Sequence, residues 1–214
     1  MNSKGYIIIS LVGCAVLTCV VREHVLLARF DLDLALALHH RTTQEGAVLA
    51  QWVSLAGSPI VRTLMGLLVT IGLLLRRERV IAAGWIVVLG GGGILDVLLK
   101  QFFNRPRPPL TIMYVSAAGA SFPSGHAMGA IIAYGMLVYI IKIHSRSRLL
   151  NTSTIVIAVV LVAAIGFSRL YLGVHYLSDV LGGYAVGAIW LMTCIAGVER
   201  ARLQQLPTGG IMAR

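Results

Sequence analysis

The chain has 214 residues, 57% hydrophobic and 12% charged, with a formal net charge of +10 and a mean hydropathy of +0.85. A soluble domain carries about a quarter charged residues, so this composition excludes an ordinary soluble enzyme and points to an integral membrane protein. Its length and its several apolar runs predict one all-α membrane domain over residues 1–214.

The first apolar run, residues 6–21, contains Leu11-Val12-Gly13-Cys14, which has the outline of a lipobox. Apolar residues continue well past Cys14 and no A-x-A-like site follows, so the run reads as the first spanning helix. Residues 22–58 are mixed. Within them Asp31-Leu32-Asp33-Leu34-Ala35-Leu36-Ala37-Leu38 alternates like a strand, but Leu and Ala are strong helix formers and Leu32/Leu36 and Leu34/Leu38 are i,i+4 pairs. Short interfacial helices are expected there. Residues 59–75, 80–99, 128–143, 152–167 and 180–198 read as five further spans, giving a six-helix transmembrane bundle.

The basic residues set the orientation. Lys4, Arg76, Arg77, Arg79, Lys142, Arg146, Arg148, Arg200, Arg202 and Arg214 share one side if the spans alternate, and that side is expected to be cytoplasmic, with both termini inside. The charge thus follows the membrane, and no nucleic-acid partner is expected. Cys14, Cys19 and Cys194 fall in apolar runs, where they pack as small hydrophobes; no disulfide framework or zinc site is inferred. The run Gly90 to Gly93 and the pair Gly183 and Gly187 read as close helix packing.

Three breaks then emerge on the external face: Lys100-Gln-Phe-Phe-Asn-Arg105-Pro-Arg107-Pro108, Pro123-Ser124-Gly125-His126, and Ser168-Arg169 followed by His175 and Asp179. Lys100 offers a point charge, while Arg107 and Arg169 offer bidentate forks for a tetrahedral oxyanion. The helix beginning near Ser124 and Gly125 directs free N–H groups and a positive dipole end to the same place. Ser124 is either its N-cap or a direct phosphate donor. His175 and Asp179 are four residues apart, so one helical face would let the carboxylate hold one imidazole nitrogen and leave the other to attack. His126, on a separate helix, could protonate the departing oxygen.

Other polar residues have quieter readings. Arg105 reads as an interfacial anchor that snorkels to headgroups. Asp96 is an intramembrane acid expected to pair with Lys100 or a nearby Arg, and Arg62 either joins it or touches a substrate headgroup. Tyr114, Tyr171 and Tyr176 read as interfacial anchors, and His24, His39, His40 and His144 as surface residues.

The pattern K-x6-RP, PSGH, SR-x5-H-x3-D matches at eleven positions in order, and the chain resembles the type 2 phosphatidic acid phosphatase (PAP2) or lipid phosphate phosphatase superfamily. The resemblance covers Lys100 to Asp179 directly. It implies a phosphohistidine at His175 oriented by Asp179, with His126 as the acid and then the activator of water. It implies too that Lys100, Arg107, Ser124, Gly125, Ser168 and Arg169 hold the phosphate, with no metal and no cofactor. The residues alone reach similar roles, except for the metal and for Ser168, which would otherwise be a helix-end serine. The expected protein is therefore a lipid phosphatase of a bacterial cytoplasmic membrane. It would hydrolyse a lipid mono- or diphosphate on the extracytoplasmic side, with undecaprenyl diphosphate or phosphatidylglycerol phosphate as substrate by family analogy. A phosphotransferase using the same site, or a lipid-phosphate binder or flippase, is the alternative.

Overall fold

The computed structural model describes residues 24–109 and 113–205, so the expected span at residues 6–21, with Cys14 and Cys19, lies outside the described residues. The described chain forms seven helices: α1 (His24–Arg41), α2 (Gln44–Ala56), α3 (Pro59–Leu75), α4 (Arg79–Phe103), α5 (Gly125–His144), α6 (Arg148–Tyr171) and α7 (Leu177–Gln204). Among the described residues no strand occurs. The alternating segment Asp31 to Leu38 is helical, and its inward residues, Asp31 and Ala35, follow the helical period.

Local signals explain the boundaries. Thr43 caps α2 by accepting from Gly46 N–H at 3.1 Å, Ser58 caps α3 with Pro59 at its first position, and Ser147 caps α6. Asn104 closes α4 in the left-handed conformation, φ 41°. Four helices, α4 to α7, and the continuous stretch Gln44–Leu75 are long and apolar enough to cross a membrane. Gly57 and Ser58 alone separate α2 from α3. The helices α4 to α7 run past the apolar windows, so Lys100, His126, Arg169 and Asp179 sit on terminal helical turns instead of in loops.

The central helix is α5, packed against α3, α4, α6 and α7. Its Met128, Ile132, Met136 and Ile140 meet Ile81, Trp85 and Val88 of α4 and Val186, Leu191, Cys194 and Val198 of α7. A Cβ on Gly183 would stand 2.8 Å from Ser124 O, and one on Gly187 2.8 Å from Met128 O. These glycines therefore bring the α7 and α5 backbones together, as their spacing suggests. Gly91 and Gly92 likewise accept Trp190 and Ile132. Aromatic donors tie helices to backbone carbonyls: Trp85 Nε1 to Gly66 O (3.0 Å), Trp190 Nε1 to Val88 O (2.9 Å) and Tyr134 OH to Ala56 O (2.8 Å).

The two ends of the bundle differ chemically. At one, Arg77, Glu78 and Arg79 gather with Glu199 and Arg202, and His144 Nε2 lies 3.5 Å from Glu78. At the other, the α1–α2 turn is bound to the loop and to α6 through Tyr114 OH to Thr42 O (3.2 Å) and Thr43 N–H to Tyr171 OH (3.3 Å). Tyr114, exposed, and Tyr171, half-buried, thus also tie the α1–α2 turn to the loop and to α6. His39, read as a surface residue, is half-buried beside the Tyr114 ring, 5.4 Å between centroids.

Candidate functional site

The second end carries the chemistry. The short segment between α6 and α7 holds His175, 3% exposed, and the first turn of α7 holds Asp179, fully buried. His175 Nδ1 faces Asp179 Oδ2 at 3.5 Å, and its Nε2 faces Arg107 Nη1 at 3.3 Å. Burial pushes His175 down to about 4, against the upward pull of Asp179 and with help from Arg107 and Arg169. At neutral pH the ring is therefore uncharged, as a nucleophile must be.

Asp179 is held from every side. Its Oδ1 accepts from Arg105 Nη1 at 2.7 Å, and its Oδ2 accepts from Ser121 Oγ at 2.5 Å and from Tyr176 N–H at 2.8 Å. The Tyr176 bond belongs to a capping box at the start of α7. Ser121 also lies 3.4 Å from His175 Nδ1. Nothing in the sequence marked Ser121, which sits two residues before the motif at Pro123 and is fully buried.

Arg105 is the clearest departure from expectation. It does not snorkel outward: it joins Asp179, Ser178 Oγ (2.6 Å) and Asp31 Oδ2 (2.8 Å) and stacks on Tyr176 at 4.6 Å. Tyr176, half-buried, accordingly offers its ring as a packing surface for this ion pair. Burial opposes the charge on Arg105, but Asp179 and Asp31 outweigh it and raise its pKa.

The expected phosphate-binding residues surround this pair. Arg107 donates to Gly119 O (3.0 Å), Ala118 O (3.1 Å) and Val174 O (2.7 Å). Three carbonyls fix its plane, the second Nη1 hydrogen faces His175 Nε2, and one Nη2 hydrogen remains for a ligand. Burial lowers its pKa, with Asp179 and Asp96 acting the other way. Arg169 donates to Ser54 Oγ at 2.5 Å while its Nε is buried without a partner among the described residues. Lys100 Nζ pairs with Asp96 Oδ2 at 2.7 Å, and both lie against Gly125, where a Cβ would stand 2.9 Å from Nζ. The glycine thus brings the start of α5 onto the lysine.

Ser124 occupies the N-cap position of α5, yet its side chain makes no capping bond. Its Oγ is buried and has no partner among the described residues. Ser124 thus holds the cap position without the capping bond. Ser168 behaves as a helix-end serine, its hydroxyl donating to Ile165 O at 2.6 Å. His126, half-buried in the first turn of α5, lies within electrostatic reach of Arg169, Arg62, His175 and Lys100. Arg62 rests on Gly129, where a Cβ would meet its Nη1 at 1.1 Å. Among the described residues, no group of three or more His, Cys, Asp or Glu side chains is disposed to hold a metal.

This arrangement has relatives. The PAP2 superfamily profile matches residues 81–203. Phosphatidylglycerophosphatase B of Bacillus subtilis is 35% identical over 105 residues, 49% of this chain and 51% of that protein. Undecaprenyl-diphosphatase BcrC of the same organism is 32% identical over 119 residues, 53% of this chain and 54% of its own length. The matched region thus spans about half the length of these curated relatives. A crystal structure of a transmembrane PAP2-type phosphatidylglycerolphosphate phosphatase from Bacillus subtilis superposes with a TM-score of 0.81 at 23% identity, covering 91% of this chain and 96% of that one. LpxE of Aquifex aeolicus superposes at 0.62, again at 23% identity, over 78% of this chain and 95% of its own. The profile takes in more than half of the chain, including the α5, α6 and α7 residues that converge on His175, and the fold agrees along nearly its whole length: the chain belongs to the PAP2 superfamily.

Proposed function

We propose that this protein is a membrane lipid phosphatase that removes the terminal phosphate of a lipid mono- or diphosphate through a phosphohistidine at the extracytoplasmic face. The observation that carries the reading is the disposition of His175, with Nδ1 toward Asp179 Oδ2 and Nε2 toward Arg107 Nη1. Nε2 attacks the terminal phosphorus while its bond to the leaving oxygen breaks, the ester oxygen of a monophosphate or the bridging oxygen of a diphosphate, and His126 gives that oxygen its proton. Water, losing a proton to His126, then attacks the same phosphorus; the N–P bond breaks, inorganic phosphate leaves and neutral His175 returns.

Lys100, Arg107, Arg169, Ser124 and the N–H groups at Gly125 hold the three equatorial oxygens, where charge spreads in the transition state. Ser168 joins them on turning its hydroxyl from Ile165 O. No metal enters these steps.

The six-span topology, with the first span at residues 6–21, α1 and the α2 region at the interface and both termini cytoplasmic, is part of this reading. The cationic cluster at the end of the bundle opposite His175 supports it. Relatives named for phosphatidylglycerophosphate, undecaprenyl diphosphate, and the decaprenylphosphoryl-5-phosphoribose of Mycobacterium tuberculosis favour a phosphorylated lipid over a soluble ester. Phosphatidylglycerol phosphate and undecaprenyl diphosphate are the first substrates to assay. The purified protein should release phosphate from them in excess EDTA, and His175→Ala should release none. Transfer of the phosphate to an added alcohol in preference to water would replace hydrolase by phosphotransferase, and headgroup binding without turnover would indicate a binder.

A further inference from the structure

Behind Asp179 the charged network continues into a helix that the family profile does not reach. Arg105 Nη2 donates to Asp31 Oδ2 at 2.8 Å, Ser178 N–H donates to Asp31 Oδ1 at 3.1 Å, and the Ser178 hydroxyl donates to Asp31 Oδ2. Asp31 belongs to α1, is 2% exposed, and lies outside residues 81–203. Ser178 is in the first turn of α7, where an N–H has no helical acceptor, so Asp31 both satisfies that turn and sits at its positive end. Leu34, Ala35 and Leu38 of α1 line one small cavity with His175 and Leu177 beside it.

The charge pattern is carboxylate, guanidinium, carboxylate, which leaves the cluster one negative charge. Without Asp31, Arg105 would cancel Asp179. His175 is faced by Asp179 with Arg105 and Asp31 behind it, by Arg107 from the loop, by Arg169 at the end of α6, and by His126 at the start of α5. When Nε2 bonds to phosphorus the ring becomes cationic beside two arginines, so an uncancelled negative charge behind Nδ1 has a direct use.

We propose that Asp31 is a positioning residue for catalysis: by engaging Arg105 and the first turn of α7, it fixes Asp179 and keeps its charge available to His175. The inference rests on His175 being the nucleophile. It is tested with the purified full chain in detergent and dioctanoyl phosphatidic acid as the probe, measuring kcat, KM and the acid limb of the pH profile. Asp31→Asn should lower kcat about 10- to 100-fold, by analogy with residues that orient a histidine from behind in metal sites, with KM within about twofold. The acid limb should move to lower pH, because a lost negative charge makes His175 harder to protonate. Adding Arg105→Gln to Asp31→Asn should return the limb toward its original position, since the opposing charges are then both absent.

Unchanged kcat and limb in Asp31→Asn, or a double variant that only deepens the loss without moving the limb back, would overturn the proposal. Should Asp31→Asn not fold, Asp31→Glu keeps the charge and should keep the limb; a shifted limb there would overturn it equally. Activity surviving in His175→Ala would bring down the underlying reading, whereas a dead His175→Ala beside a normal Asp31→Asn would remove only the role of Asp31.

Discussion

Replacing Asp179 by Asn probes the site most sharply, because the two side chains have the same shape and differ in what they can accept. Asp179 takes Arg105 Nη1 on one oxygen and Ser121 Oγ and Tyr176 N–H on the other, with His175 Nδ1 beside it. With the amide nitrogen at the Oδ2 position, its hydrogens meet Tyr176 N–H at 2.8 Å; with it at the Oδ1 position, they meet Arg105 at 2.7 Å. Either orientation sets donor against donor. A buried donor left unpaired costs about 1–3 kcal/mol, and breaking a buried ion pair about 3–5 kcal/mol. Arg105 keeps Asp31, so a destabilisation of about 3 kcal/mol is expected, leaving a protein that folds but melts earlier. The effect on turnover should be larger: loss of a carboxylate that fixes the tautomer of a catalytic histidine lowers kcat by about 10,000-fold in a comparable triad, roughly 5.5 kcal/mol of barrier. The assay is single-turnover phosphate release from phosphatidylglycerol phosphate at pH 7, beside thermal unfolding in detergent. A folded Asp179→Asn within tenfold of the original rate would refute the assignment of Asp179 as the group that orients His175.

Ser124→Ala removes a buried hydroxyl that bonds nothing among the described residues, so unfolding should be unchanged while kcat drops about 100- to 1,000-fold, as for loss of one donor to a developing oxyanion; steady-state kinetics and thermal unfolding separate the two effects. Gly187→Val would drive carbons into Met128 O, already 2.8 Å from the position of a Cβ, and should cost about 1–3 kcal/mol or more by parting α5 from α7, read as a lower Tm with loss of activity. Because burial brings His175 down to about 4, the acid limb of kcat/KM should lie near pH 4, below the ordinary histidine range, once ionisation of the substrate phosphate is allowed for. The same depression acts on stability. Between about pH 6.5 and 4 the unfolded chain binds the extra proton, so stability held above pH 6.5 is lost progressively as pH falls through about 4; thermal unfolding against pH should show this slope, and His175→Gln should reduce it.

Much of the candidate site's placement was legible because its residues punctuate apolar runs: Lys100, His126, Arg169 and Asp179 fall on the terminal turns of α4 to α7, where a membrane protein keeps its polar residues. The i,i+4 relation of Asp96 to Lys100 also anticipated their ion pair. Less legible were groups whose role depends on distant partners. Arg105 looked like any headgroup anchor, since nothing near it in the sequence announced Asp31, 74 positions away, or Asp179. Asp31 was hidden in a run that alternates with period two, and only the helical period distinguishes it from exposed Asp33. Ser121 carried no signal because a buried serine beside a proline has many structural uses. The tyrosines at the site end were assigned by residue type to the membrane interface, and residue type alone did not foretell that Tyr114 and Tyr171 also bond to the α1–α2 turn.

The central claim is a covalent intermediate on His175, and rapid-quench labelling tests it most directly. Protein mixed with lipid phosphate bearing 32P in excess EDTA, then denatured in alkali, should yield an acid-labile, base-stable label that maps to His175 and forms no more slowly than phosphate is released. Phosphate released at the full rate with no labelled protein at any time, or a label mapping elsewhere and persisting in His175→Ala, would contradict the account.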